Sequence, residues 1–141
     1  MEPRKRLGEI LIQMGLVTPD KVEDALTHAK RTALKLGEAL IDLNMVTEEQ
    51  VVKALCRQNK LPFVDLTKVK LREEVVDLID SRVCEEYDLI PIKKQGNQIF
   101  VAIRDPNQVY QADGLQFVLN AEVKFALATP TALTNAKAEY Y

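Results

Sequence analysis

Residues 6–29 read RLGEILIQMGLVTPDKVEDALTHA, and residues 35–58 read KLGEALIDLNMVTEEQVVKALCRQ. Offset by 29, the two stretches agree at Leu7/Leu36, Gly8/Gly37, Glu9/Glu38, Leu11/Leu40, Ile12/Ile41, Val17/Val46, Thr18/Thr47, Val22/Val51, Ala25/Ala54 and Leu26/Leu55. A period of this size marks a repeated supersecondary unit. In the first copy Leu7, Ile10, Leu11 and Met14 fall at helical spacing and predict one buried stripe. Gly15 stands where a helix end takes up a left-handed residue. Thr18 is a natural N-cap, and Pro19 suits the first helical position, where its missing N–H costs nothing. Val22, Ala25, Leu26 and Ala29 make the stripe of a second helix.

The second copy follows the same logic. Leu36, Ala39, Leu40 and Leu43 form the stripe, and Asn44 replaces the glycine as the next best left-handed residue. Thr47 with Gln50 has the spacing of a capping box, and Val51, Ala54 and Leu55 continue the apolar face up to Gln58. The pattern predicts a compact helical subdomain over residues 1–60.

Residues 61–141 read differently. Leu61-Pro62-Phe63-Val64-Asp65-Leu66 is extended with apolar anchors, Glu73–Ile79 is helical, and Ser81 caps a helix to about Tyr87. Strands are predicted over Leu89–Ile92, Ile99–Ile103 and Val123–Leu127, with Pro91 favouring a sheet edge and Gln95-Gly96-Asn97 a turn. Asp105-Pro106-Asn107 opens a helix to about Phe117, and Thr131 caps a last helix. The expected class is therefore α+β. A four-helix repeat subdomain, built from two helix-turn-helix units, packs on a small C-terminal α/β subdomain with about three strands.

The chain has 141 residues, 47% of them apolar and 28% charged, which fits one ordinary domain or two small ones. Residues 1–60 carry ten Lys and Arg against nine acids, and residues 61–141 carry nine against twelve. Neither half has the basic excess of a nucleic-acid-binding domain. No apolar run approaches the roughly 20 residues that span a bilayer, and the basic start Met1–Arg6 is not followed by the apolar stretch of a secretory signal. Cys56 and Cys84 read as free buried thiols, and the expected compartment is cytoplasmic. With His28 the one histidine, Ser81 the one serine and no phosphate-binding G-x-x-x-x-G-K-[ST], the composition points away from an enzyme.

The tandem R/K-L-G-E-x-L-I-x-x-G/N pattern, each copy followed by a threonine cap and V-x-x-A-L, resembles the N-terminal domain of type II secretion and type IV pilus assembly ATPases. That family includes the cyclic di-GMP-binding, MshE-type version. The resemblance continues through LPFVDL at 61–66 and LIPI at 89–92, then IFVAIRDPN at 99–107, to Tyr140 and Tyr141. It implies a non-catalytic regulatory module with cyclic di-GMP as ligand and no resident cofactor. Its implied partners are the secretion or pilus motor and an inner-membrane platform protein, with no nucleic acid and no membrane insertion.

The resemblance also implies roles. Arg6 and Lys35 would meet the phosphates. Gly8 and Gly37 would let backbone amides approach the ligand, and Gly15 would close the first motif's helix. Leu7, Leu11, Leu36 and Leu40 would offer apolar faces to the purines. Glu38 and Gln58 would stand at the rim, and Asp105 would accept from a guanine edge. Three positions depart from the pattern: Ala29 for glutamine, Lys35 for arginine and Asn44 for glycine. An alternative is a degenerate member that docks protein without nucleotide. Local readings compete at single residues. Arg4 and Lys5 read as a solvated tail, the repeat leucines as core, Asp105 as a helix cap and His28 as a surface side chain.

Overall fold

The structure, a computed structural model, describes residues 6–141; Arg4 and Lys5 lie outside them. The chain divides into two compact units, one ending at Lys60 and the other beginning at Leu61.

The first unit holds α1 (Leu7–Gln13), α2 (Pro19–Thr32), α3 (Leu36–Asp42) and α4 (Glu48–Asn59). The local chemistry sets the boundaries. Thr18 Oγ1 accepts from Lys21 N, with Pro19 at the first helical position. Thr47 Oγ1 accepts from Gln50 N at 3.2 Å while Gln50 Oε1 accepts from Thr47 N at 2.9 Å, a reciprocal capping box. Gly15 (φ 73°) and Asn44 (φ 57°) both take the left-handed turn that ends the first helix of each copy. The core is formed by Ile10, Leu11, Val17, Ala25, Ala29, Ala39, Leu40, Val46, Val51 and Ala54. Leu11 and Leu40 are fully buried, each stabilising by about 1.5–3 kcal/mol over an exposed side chain. Packing crosses between copies, α1 mainly on α4 and α2 on α3.

One expectation is corrected here. Leu26 is 46% exposed instead of lining the stripe. The inward stripe of α2 is the small pair Ala25 and Ala29, and Leu26 lies about 100° round the helix from Ala25. His28 lies at the surface as read, partly covered, and its Nε2 lies 2.6 Å from Asp42 Oδ2, bridging α2 and α3.

The second unit runs α5 (Glu73–Val76), α6 (Ser81–Tyr87), β1 (Ile90–Gln95), β2 (Gln98–Ile103), α7 (Gln108–Gln111), α8 (Leu115–Leu119), β3 (Glu122–Leu127) and α9 (Pro130–Tyr140). The sheet order is β1-β2-β3. β1 pairs antiparallel with β2, with a register shift between Pro91 and Lys93, and β2 pairs parallel with β3 from Gln98↔Glu122 to Ile103↔Leu127. Pro91 thus sits on an edge strand, where a missing donor is tolerated. The extended segment 61–66 is tied to β3: Val64 N donates to Leu127 O at 2.9 Å and Leu127 N to Pro62 O at 2.8 Å. Val101, Ile103, Leu127 and Leu133 are fully buried.

Several boundaries differ from expectation: α5 ends at Val76 instead of Ile79, and β1 runs from Ile90 on to Gln95. Asp80, not Ser81, caps α6, its carboxylate accepting from Arg82 N. The helix expected to open with Asp105-Pro106-Asn107 and run to about Phe117 is two short helices broken at Ala112–Gly114. Thr129, not Thr131, caps α9, followed by Pro130 in the same Thr-Pro arrangement that starts α2.

Candidate functional site

The two Leu-Gly steps are built into each other. A Cβ on Gly8 would lie 3.0 Å from Val22 Cγ1 and 3.4 Å from Leu36 Cδ2. A Cβ on Gly37 would lie 2.8 Å from Val51 Cγ1 and 3.4 Å from Leu7 Cδ2. Each glycine therefore admits the valine of its own copy and the leucine of the other. Leu7, Gly8, Leu36 and Gly37 are gathered in one place, with Arg6 and Lys35 immediately before them as the exposed N-cap residues of α1 and α3. The first N–H groups of a helix have no partner within it. Here one such demand is met locally, as Lys35 N donates to Glu38 Oε1 at 3.1 Å.

Other residues named from the sequence sit elsewhere. Leu11 and Leu40 are 0% exposed and serve the core, so the faces expected of them are turned inward. Gly15 is needed for its positive φ rather than for space, since a Cβ there would meet nothing within 4 Å. Gln58 is half-buried near the end of α4, its Oε1 3.5 Å from Asn59 Nδ2. Ala29, its counterpart by register, is 8% exposed and part of the core. Asp105 belongs to the second unit, just past β2. Its Oδ1 accepts from Asn107 N at 2.8 Å in an Asx turn, while Asn107 is the N-cap of α7, so the reading of Asp105 as that helix's cap is corrected.

Among the described residues no three His, Cys, Asp or Glu side chains are grouped to hold a metal ion. No described helix is long and apolar enough to cross a membrane. Cys56 and Cys84 are free and buried. Burial pushes the Cys56 thiol up to about 11 and raises Cys84 as well, which keeps both protonated near neutral pH.

The MshEN domain family matches residues 59–141, more than half of the sequence. The chain belongs to the MshEN domain family. Among solved structures, this MshEN chain is similar to MshE with cdg, that is cyclic di-GMP, at 29% identity and a TM-score of 0.82, over 98% of this chain and 100% of that one. It shares its fold with the N-terminal domain of XpsE, at 18% identity and a TM-score of 0.70, over 100% and 99% of the two chains. It is 23% identical over 136 residues to the type IV pilus assembly ATPase PilB of Myxococcus xanthus, covering 96% of this chain and 24% of that protein. This chain thus spans about a quarter of the length of that relative.

Sequence reasoning missed the residue that organises the Asp105 loop of this MshEN chain. Gln108 is 7% exposed. Its Oε1 accepts from Arg104 N at 2.8 Å and Asp105 N at 2.9 Å, and its Nε2 donates to Tyr87 O at 3.0 Å and Asp88 O at 2.7 Å. Asp105-x-x-Gln108 has the spacing of a capping box, a signal present in the sequence. Nothing local foretold the two bonds to the end of α6. Beside it, Asp88 carries Arg104, with Oδ2 2.7 Å from Nε, and Lys137, with Oδ1 3.0 Å from Nζ. These three charged groups line a groove of about 930 Å³ that also touches Cys84 and Tyr141 and contains none of the residues that the resemblance implies for the ligand.

Proposed function

We propose that this chain is a non-catalytic, cyclic di-GMP-binding regulatory module of a type II secretion or type IV pilus motor. The observation that carries the reading is the likeness to MshE, whose structure holds that ligand, over nearly the whole chain at 29% identity. The reciprocal seating of the two Leu-Gly steps supports it, because it sets two equivalent helix starts side by side. In this reading Arg6 grips a phosphate through its planar fork, while Lys35 acts as a point charge. The half-buried Leu7 and Leu36 give the purines an apolar edge. Gly8 and Gly37, both buried, let each helix start close on the valine of its own copy and the leucine of the other, which sets the N-terminal turns that would meet the ligand. Gln58 adds an amide at the rim, and the family likeness implies the Asp105 carboxylate of the second unit as an acceptor for a guanine N1–H and N2–H edge.

No bond is made or broken. The ligand changes the output by binding one state of the module more tightly than another, and it shifts that equilibrium by no more than the difference in affinity. The motor and an inner-membrane platform protein are the partners this reading implies.

Isothermal titration with cyclic di-GMP tests it, with GTP and cyclic di-AMP as controls. Micromolar or tighter binding at one dinucleotide per chain, with silent controls, is the expected result. Arg6→Ala should weaken binding with little loss of fold stability. Absence of heat and of any thermal shift would favour a second reading, a protein-docking module without nucleotide. Two observations favour that alternative: Ala29 is sealed in the core where the motif has glutamine, and Tyr110 and Phe117 are 77% and 89% exposed.

A further inference from the structure

We propose that Gln108 is a positioning residue that pre-sets the Asp105 carboxylate for guanine recognition; this rests on the ligand reading of Asp105 given above. Among the described residues Gln108 is the one buried polar side chain, and both ends of its amide are used twice. The oxygen holds the N–H groups of Arg104 and Asp105, the two residues that leave β2. The nitrogen holds the carbonyls of Tyr87 and Asp88, where α6 ends. Asp88 is fixed in turn: its φ is 53°, and its carboxylate takes Arg104 and Lys137. The backbone beneath Asp105 is thus pinned to a second element by one side chain, and its Oδ1 is oriented by Asn107 N at 2.8 Å.

A carboxylate on a free loop loses conformational freedom when it meets a ligand, and that loss subtracts from affinity. A carboxylate already held in place avoids it. Guanine offers two donors on one edge, and a fixed acceptor can meet both, so the hold on Asp105 contributes selectivity as well as strength. Gln108 touches no ligand in this account and acts through Asp105.

The test uses the full chain and four variants: Gln108→Met, Gln108→Glu, Asp105→Ala and the Gln108→Met/Asp105→Ala pair. Methionine keeps the length and loses every bond, while glutamate keeps an acceptor for the two N–H groups. We expect Gln108→Met to weaken cyclic di-GMP binding about tenfold and to narrow the preference over cyclic di-IMP, which lacks the exocyclic amine. Gln108→Glu should recover part of the affinity. The pair should bind no more weakly than Asp105→Ala alone, because a residue acting only through Asp105 has nothing left to lose. A folded Gln108→Met chain with unchanged affinity, or losses that add in full, would overturn the proposal. If Gln108→Met fails to fold, an unchanged Gln108→Glu affinity and preference overturn it in its place.

An Asp105→Ala chain that binds like the original would instead remove Asp105 from the site, and Gln108 with it. Amide exchange at Asn107 in the ligand-free chain reads the hold independently of any ligand. Loss of Gln108 should speed it at least about tenfold, and an unchanged rate overturns the positioning role even if the chain never binds cyclic di-GMP.

Discussion

The two helical copies share ten residues and one backbone plan, yet they finish differently. The first closes on Ala29, 8% exposed and packed into the core. The second closes on the half-buried Gln58. On the flank, α4 carries a further buried pair, Val52 and Cys56, where α2 has the exposed Glu23 and Thr27. At the helix starts, the guanidinium of Arg6 in one copy corresponds to the ammonium of Lys35 in the other. The lesson is that duplication preserved what the backbone demands, namely the Leu-Gly step, the left-handed turn and the threonine cap. Side chains that close no helix were free to diverge.

The largest effect is expected at the ends. Ala29→Gln forces a longer amide into a filled core and should cost about 2–3 kcal/mol in urea denaturation. Gln58→Ala should cost under about 1 kcal/mol. Equal costs would mean the two ends are equally open. Next come the glycines. The closer approach at Gly37, 2.8 Å against 3.0 Å at Gly8, predicts that Gly37→Ala is the more harmful. We expect a loss of about 1–2 kcal/mol at Gly37, partly offset by better helix propensity, and a smaller change at Gly8. The reverse order would show that Val51 yields more readily than Val22. At the turns, Gly15→Ala should cost about 1 kcal/mol through its positive φ, whereas Asn44→Gly should gain a few tenths.

Cys56 offers a pH handle that its exposed counterpart Thr27 lacks. Its thiol is held at about 11, above the ordinary 9.0. The folded chain therefore keeps a proton that the unfolded chain releases. This contribution to stability is complete below pH 9 and fades between pH 9 and 11. The difference in urea midpoint between the original chain and Cys56→Ala should shrink over that window and stay level below it. The smallest effect is expected of Lys35→Arg, which would restore a matching fork and tighten cyclic di-GMP binding about threefold. No gain would separate the two helix starts in function.

The helical unit was legible because its signals are local. Thr18-Pro19, Thr47 with Gln50, Gly15 and Asn44 each fix a boundary within a few residues. The same Thr-Pro signal at Thr129-Pro130 marks the start of α9, but Thr131, one residue on, reads equally well as a cap by residue type. The helix expected to run on to about Phe117 stops at Gln111 and restarts after Gly114, a break that the opening Asp105-Pro106-Asn107 signal does not announce. The candidate site was legible only in part. Helical periodicity cannot tell a core leucine from a rim leucine, so Leu11 and Leu40 read the same as Leu7 and Leu36. Gln108 was missed because two of its four bonds reach back about twenty residues, to Tyr87 and Asp88. The bridge from His28 to Asp42 likewise joins two helices and leaves no mark on either.

The leucine exchange bears on how the helical unit breathes. With α1 packed chiefly on α4, and α2 on α3, neither hairpin owns its core. Lifting α1 withdraws Leu7 from Gly37 and Gly8 from Leu36 in the same motion. The four helices then have no partial opening that leaves one copy whole, and native-state hydrogen exchange across their slowest amides should report a single free energy. A gene segment copied twice has become one cooperative object, so the two motifs are kept or lost together.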